Sequence, residues 1–207
     1  VLINIRGTFG SGKSTIVRNV LGEIIAHEVM AVTHVEKPTR ADPQRLQRRE
    51  LVGAVGQGGR VIALGEYRAT CGGADEFSWK GAHDAICDAI VTGAHSDRPV
   101  VLFEGVTISG IHVRYRDLAA DLYKKTGRTT HKVFVMPDVE ECVRRVAARS
   151  GRGATDKIRE TVTDKWHSVC RVHQKLLLDN VPGIRLYWSG SSEQAEALVR
   201  ELIEENT

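Results

Sequence analysis

A chain of 207 residues, 42% hydrophobic and 27% charged, has the composition of an ordinary globular domain and is long enough to bury one good core. No apolar run nears the roughly 18 residues that cross a bilayer, and no charged-then-apolar leader is visible, so a cytoplasmic protein with no membrane role is expected. The formal charge of +3 admits a polyanionic partner without requiring one, and the four scattered cysteines, none in a CxxC pair, suggest free thiols over disulfides or zinc.

In chain order, VLINIR (1–6) predicts a buried strand running into a glycine loop. Ile16, Val17, Val20, Leu21, Ile24 and Ile25 recur at helical spacing, which predicts an amphipathic helix from Lys13 to about His27. VMAVTHV (29–35) reads as a second strand, and the polar ADPQRLQRRE (41–50) as a loop entering a short exposed helix. GAVGQGGR (53–60) reads as a turn, RVIALGEY (60–67) as a strand, CGGADEF (71–77) as a loop and GAHDAICDAIVTG (81–93) as a helix. PVVLFEG (99–105) is a continuous apolar strand, followed by a basic helix over 111–126 and the strand HKVFVMP (131–137). Helices over 138–149 and 156–179, separated by SGRGAT, precede a last strand (184–190) and a terminal helix (193–204). Short apolar strands alternating with helices predict a single α/β domain with a mainly parallel sheet covered on both faces.

The opening stretch, RGTFGSGKST, matches GxxxxGK[ST] completely: Gly7, four residues, then Gly12, Lys13 and Ser14. Glycines let successive N–H groups turn inward on phosphate oxygens, and the helix that starts near Lys13 presents its positive end to the same anion. Gly7, Thr8, Phe9, Gly10, Ser11, Gly12, Lys13, Ser14 and Thr15 are therefore the expected ATP cradle. Lys13 should reach the β- and γ-phosphates and Ser14 should ligate Mg²⁺.

The guanine-reading NKxD of GTPases and the LSGGQ of ABC-type ATPases are both missing. Arg145, Arg149 and Arg152 fall at i, i+4 and i+7 on one helix face, as on a lid that closes over phosphates, and a mobile lid is expected at about 138–180. Glu104 ends a buried strand, where ligands gather in α/β sheets. It would position Mg²⁺ through water or activate the acceptor, provided that strand neighbours the first one. In GEYRATCGGADEFSW (65–79), Tyr67, Phe77 and Trp79 could stack on a base and Asp75 could accept a hydroxyl proton. A hairpin turn with a capping Asp and core aromatics accounts for the same residues equally well.

On RGTFGSGKST, GEYRATCGGAD and VVLFEG, in this order, the chain resembles the P-loop kinases of bacterial viruses, including those that phosphorylate 5-hydroxymethyluracil in DNA. The resemblance covers roughly the first 150 residues. It implies attack of a hydroxymethyl oxygen on the γ-phosphate of ATP in a phage-infected bacterium, with Lys13 and Ser14 handling ATP and Mg²⁺ and Asp75 as the base. A rival site, Glu36 with Arg40 after the second strand, would instead serve a free nucleoside or nucleotide, and Tyr67 and Arg68 are further candidate substrate residues. A non-catalytic, nucleotide-sensing module is a third reading. A DNA acceptor needs a positive surface, which Arg40, Arg45, Arg48, Arg49, Arg60 and Arg68 could supply on one side and Arg114, Arg116, Lys124, Lys125, Arg128 and Lys132 on the other.

Overall fold

In a computed structural model, which describes residues 1–36, 46–68, 73–77, 82–151 and 153–207, seven strands form one sheet in the order β2-β3-β4-β5-β1-β6-β7. They are β1 (Leu2–Arg6), β2 (Ala26–Glu36), β3 (Leu46–Gly56), β4 (Val61–Leu64), β5 (Val100–Glu104), β6 (Thr130–Val135) and β7 (Ile184–Ser189). The helices are α1 (Lys13–Leu21), α2 (Ala82–Ala94), α3 (Val106–Ser109), α4 (Val113–Thr126), α5 (Val139–Ser150), α6 (Asp156–Asp179) and α7 (Ser192–Glu204). β4, β5, β1, β6 and β7 run parallel, and β3 alone runs against its neighbours. The expected α/β architecture is what the structure has.

Alternation along β1 sorts the core into two layers. Ile3 and Ile5 face Ile16, Val17 and Val20 of α1 and Ala195 and Val199 of α7. Leu2 faces the other way, with Val101 and Phe103, into Ala85, Ile86, Ala89 and Ile90 of α2 and Tyr115 and Leu122 of α4. Beyond them Phe134 and Met136 pack on Val169, Val172 and Leu176 of α6. Helices on both faces explain why the central strands read as unbroken apolar runs.

Two expectations need correction. The first helix stops at Leu21, not near His27, because the chain turns at Gly22 (φ 63°) and re-enters the sheet as β2. The exposed helix expected to reach residue 50 is, from Leu46 on, the strand β3, which also takes in residues 53–56 of the expected turn. β3 pairs with β2 along a ribbon at the sheet edge, and the polar run Gln47–Glu50 is a wet strand there, with no apolar alternation to reveal it.

Candidate active site

The phosphate loop leaves the carboxyl end of β1, the middle strand of the parallel block, and delivers Lys13 as the first residue of α1. The loop is tight. A Cβ on Gly10, which sits at φ 74°, would come within 2.5 Å of the Cys142 carbonyl of α5, and Thr8 Oγ1 donates to the Val162 carbonyl of α6 (3.0 Å). α5, α6 and α7 are capped by Asp138, Thr155 and Ser191, whereas no side chain caps α1, so its first-turn N–H groups are left for an anion. Lys13 Nζ donates to the Thr8 carbonyl (2.9 Å) and lies within 3.5 Å of Ser11 Oγ. Burial lowers its pKa, and the charges of Glu104 and Asp75 oppose the shift.

β5 pairs directly with β1, in register Ile5 to Glu104, so Glu104 does stand beside the loop. Ser14 Oγ donates to Glu104 Oε1 (2.8 Å), while Oε2 is fully buried without a hydrogen-bond partner among the described residues. Burial pushes the Glu104 carboxyl up to about 7 despite the nearby Lys13 ammonium. A serine hydroxyl and an unsatisfied carboxylate oxygen, both hard donors, fit a small divalent cation that keeps most of its ligands as water and phosphate oxygens.

Asp75 reaches the same place from the loop after β4. Gly73 makes the approach possible, since a Cβ there would lie 2.6 Å from Glu104 Oε1. Asp75 Oδ1 accepts from the Thr107 backbone N–H (2.9 Å) and hydroxyl (2.8 Å), and Oδ2 from the Val106 N–H (2.8 Å). Asp75 thus clamps the start of α3 and retains one lone pair on Oδ2. Of the two sequence readings, a proton-accepting base and a turn with a capping Asp, these bonds match the local, capping kind of contact, and the cleft position leaves the carboxylate open to an acceptor.

A cleft of about 800 Å³ opens over Lys13, Ser14 and Asp75, with the buried Glu104 beneath it against Ser14. It is lined by Phe9, Gly10, Gly12, Lys13, Ser14, Thr15, Asp75, Arg145 and Arg149 from the sequence reading, together with Arg18, Val106, Thr107, Lys165 and Ser192. Arg145 donates to Glu141 Oε1 (2.7 Å) and stretches toward the Gly10 carbonyl (3.5 Å). Arg18 lies one turn beyond Ser14 on a helix already aimed at phosphate, a signal that sequence reasoning could have used. Lys165 gave none, because its place depends on how α6 crosses the loop. The expected lid at 138–180 is only partly separable, since one face of α6 beyond Val162 (Val169, Val172, Leu176) packs into the core. Arg152 lies outside the described residues.

Among the described residues, none of the rival acceptor set lines this cleft. Glu36 is exposed at the end of β2, outside the lining residues, and Arg40 lies outside the described residues. Arg68 is exposed beside Glu66 (3.4 Å). Tyr67 is corrected outright. Its ring is buried in the core at φ 56°, and its hydroxyl has no partner among the described residues, so the ring is not placed to stack on a base; Phe77 is buried as well, and Trp79 falls outside the described residues. The two basic faces are also thinner than their residue count. Lys132 is buried, donating to the Tyr115 carbonyl (3.0 Å), Arg48 pairs with Glu50, Arg114 with Asp84, and Arg116 with Asp117 and Asp179. Arg45 lies outside the described residues.

No family model matches the chain. A 5-hmdU DNA kinase of Pseudomonas phage M6 is 24% identical over 205 residues, which cover 97% of this chain and 98% of the relative. The chain resembles that kinase along its whole length. A solved deoxyadenosine kinase from M. mycoides with bound dATP aligns over 99% of this chain and 98% of its own, at 12% identity and a TM-score of 0.39, too loose a likeness to carry an argument. The phosphate loop, the cleft and the named relative agree on a P-loop kinase. No helix among the described residues is long and apolar enough to cross a membrane.

Proposed function

We propose that this protein transfers the γ-phosphate of ATP to the 5-hydroxymethyl oxygen of hydroxymethyluracil in DNA, in the cytoplasm of a phage-infected bacterium. The observation that carries the reading is the convergence of two carboxylates, Asp75 and Glu104, on the Lys13–Ser14 end of one cation-lined cleft. The named relative supplies the acceptor.

Gly7, Thr8, Phe9, Gly10, Ser11, Gly12 and Thr15 wrap the triphosphate with backbone N–H groups, and Lys13 swings from the Thr8 carbonyl to the β- and γ-oxygens. Ser14 and the free oxygen of Glu104 would hold Mg²⁺, which neutralises charge on the transferring phosphate. Arg145 and Arg149 reach in from α5 as a short lid, neutralise the outer oxygens and exclude water that would compete as acceptor. Asp75 Oδ2 takes the proton of the attacking hydroxyl, while its bonds to Val106 and Thr107 hold the carboxylate in one orientation. A loose transition state asks little basicity of that group, so a carboxylate that also accepts three hydrogen bonds suffices.

The test is transfer of label from γ-labelled ATP to hydroxymethyluracil DNA, unmodified DNA and free nucleosides in parallel. Label should enter only the hydroxymethylated DNA, Lys13→Ala should abolish transfer, and Asp75→Asn should lower kcat by 100-fold or more with the KM for ATP little changed. Label entering free nucleosides alone would point to a small-molecule kinase. ATP binding without turnover on any acceptor would point to a nucleotide-sensing module.

A further inference from the structure

Five cations line the cleft, and four of them already have work or partners. Lys13 belongs to the phosphate loop, Arg145 is tied to Glu141, and Arg18 and Arg149 have interactions of their own. Lys165 is the exception. It projects from α6 one turn beyond Val162, is half-buried, and makes no hydrogen bond or ion pair among the described residues. Burial lowers its pKa and only the charge of Asp75 opposes this, so its ammonium carries a desolvation cost that an incoming anion would relieve.

Its seat is built by the absence of a side chain. A Cβ on Gly110 would lie 2.6 Å from Lys165 Nζ and 3.1 Å from Ser168 Oγ. The loop behind this glycine is held from below by Arg6, whose Nη1 donates to the Ser109 (3.4 Å) and Ile111 (3.1 Å) carbonyls. Arg145 leans over Gly10 and Gly12, on the phosphate loop itself. Lys165 instead rests against Gly110, on the stretch that follows β5 and bears Val106 and Thr107, the groups that clamp Asp75. Asp75 is where the acceptor hydroxyl enters in the reading above.

We propose that Lys165 binds a phosphate carried by the acceptor, a phosphodiester of DNA beside the modified base, so that the cleft discriminates a phosphate-bearing acceptor from a bare nucleoside. The proposal rests on the phosphotransfer reading above. It assigns to α6 a contact that neither the phosphate loop nor the Arg145–Arg149 face makes.

The experiment measures binding of a fluorescent hydroxymethyluracil-containing oligonucleotide by anisotropy, with ADP and Mg²⁺ present, across a salt titration. Lys165→Gln should weaken binding about 5- to 10-fold and reduce the salt slope by about one, the signature of one lost phosphate contact. Gly110→Ala should do the same by displacing the ammonium, and the double variant should be no weaker than either single one, since both remove one contact. Lys165→Arg should retain most of the binding and carries the test if the Gln variant does not fold. ATP affinity should stay within about two-fold of wild type. Competition by the nucleoside and its 5′-monophosphate separates the sources. A loss confined to the oligonucleotide assigns a backbone phosphodiester, and one shared with the monophosphate assigns a terminal phosphate. Equal losses for the uncharged nucleoside, a loss of ATP affinity, or unchanged oligonucleotide binding would overturn the proposal. Oligonucleotide binding that depends on Lys165 without any transfer of label would remove the function above and leave this contact standing. Transfer with binding indifferent to Lys165→Gln would do the reverse.

Discussion

Glu104 is held near neutrality by burial, and its neighbours explain what that permits. Its pKa is raised from the usual carboxylate range to about 7, so the folded state keeps a proton that the unfolded chain releases near 4.5. Between those values the native state binds more protons than the unfolded one, and stability falls as pH rises. The contribution is present below about 4.5 and is lost by about pH 7, on the order of 3 kcal/mol at most. Denaturant unfolding of the ligand-free protein at pH 5 and pH 8 should show this slope, and Glu104→Gln should flatten it. Under the proposed function catalysis runs the other way, because the carboxylate would have to be ionised to hold Mg²⁺. The rate kcat/KM should fall as pH drops below about 7, and a profile flat from pH 5 to 8 would contradict the assigned role. At this scale the sequence was informative about kind and poor about company. Glu104 was legible as a strand-end carboxylate, but its unsatisfied oxygen follows from β5 docking beside β1. Tyr67 shows the converse. An aromatic in a glycine-rich loop reads equally as a stacking platform or a core side chain, and only its burial decided for the core.

Between elements, the phosphate loop packs directly on α5. Cys142 and Val143 of α5 pack on Val162 of α6, with Phe9 of the loop against them, and the Cys142 carbonyl touches the space over Gly10. Gly10→Ala would place a methyl 2.5 Å from that carbonyl and hold alanine at φ 74°. A loss of about 2 kcal/mol or more is expected, seen as a lower denaturant midpoint, together with weaker nucleotide binding. A variant with wild-type stability would mean that α5 moves freely over the loop. The helices over 138–149 and 156–179 were readable because apolar spacing and a glycine-bearing break mark both. β2 was readable as a strand over 29–35, but its partner β3 was not. The edge position leaves the outer half of β3, from Leu46 to Glu50, largely exposed, so no period-two pattern separates strand from polar helix there.

For the molecule as a whole, the cleft lies across the carboxyl ends of β1 and β5, and nucleotide should bind only the folded state. Mg·ATP at 100 times its Kd should stabilise the protein by about 2.7 kcal/mol, which for a domain of this size raises Tm by roughly 5–10 °C. Differential scanning fluorimetry reads this directly. Lys13→Ala should lose most of the shift, and an equal shift in that variant would place the triphosphate elsewhere. The sequence by itself determined the layered α/β class, the phosphate loop and the positions of most helices, because these rest on local spacing, turn chemistry and apolar runs. Only the tertiary structure decided which polar residues meet. It brought Asp75 and Lys165 from distant segments to one cleft, set Glu104 beneath it against Ser14, and left Glu36 at the sheet edge. Strand order and helix crossing are fixed by packing two whole faces at once, and no short window of sequence contains that information.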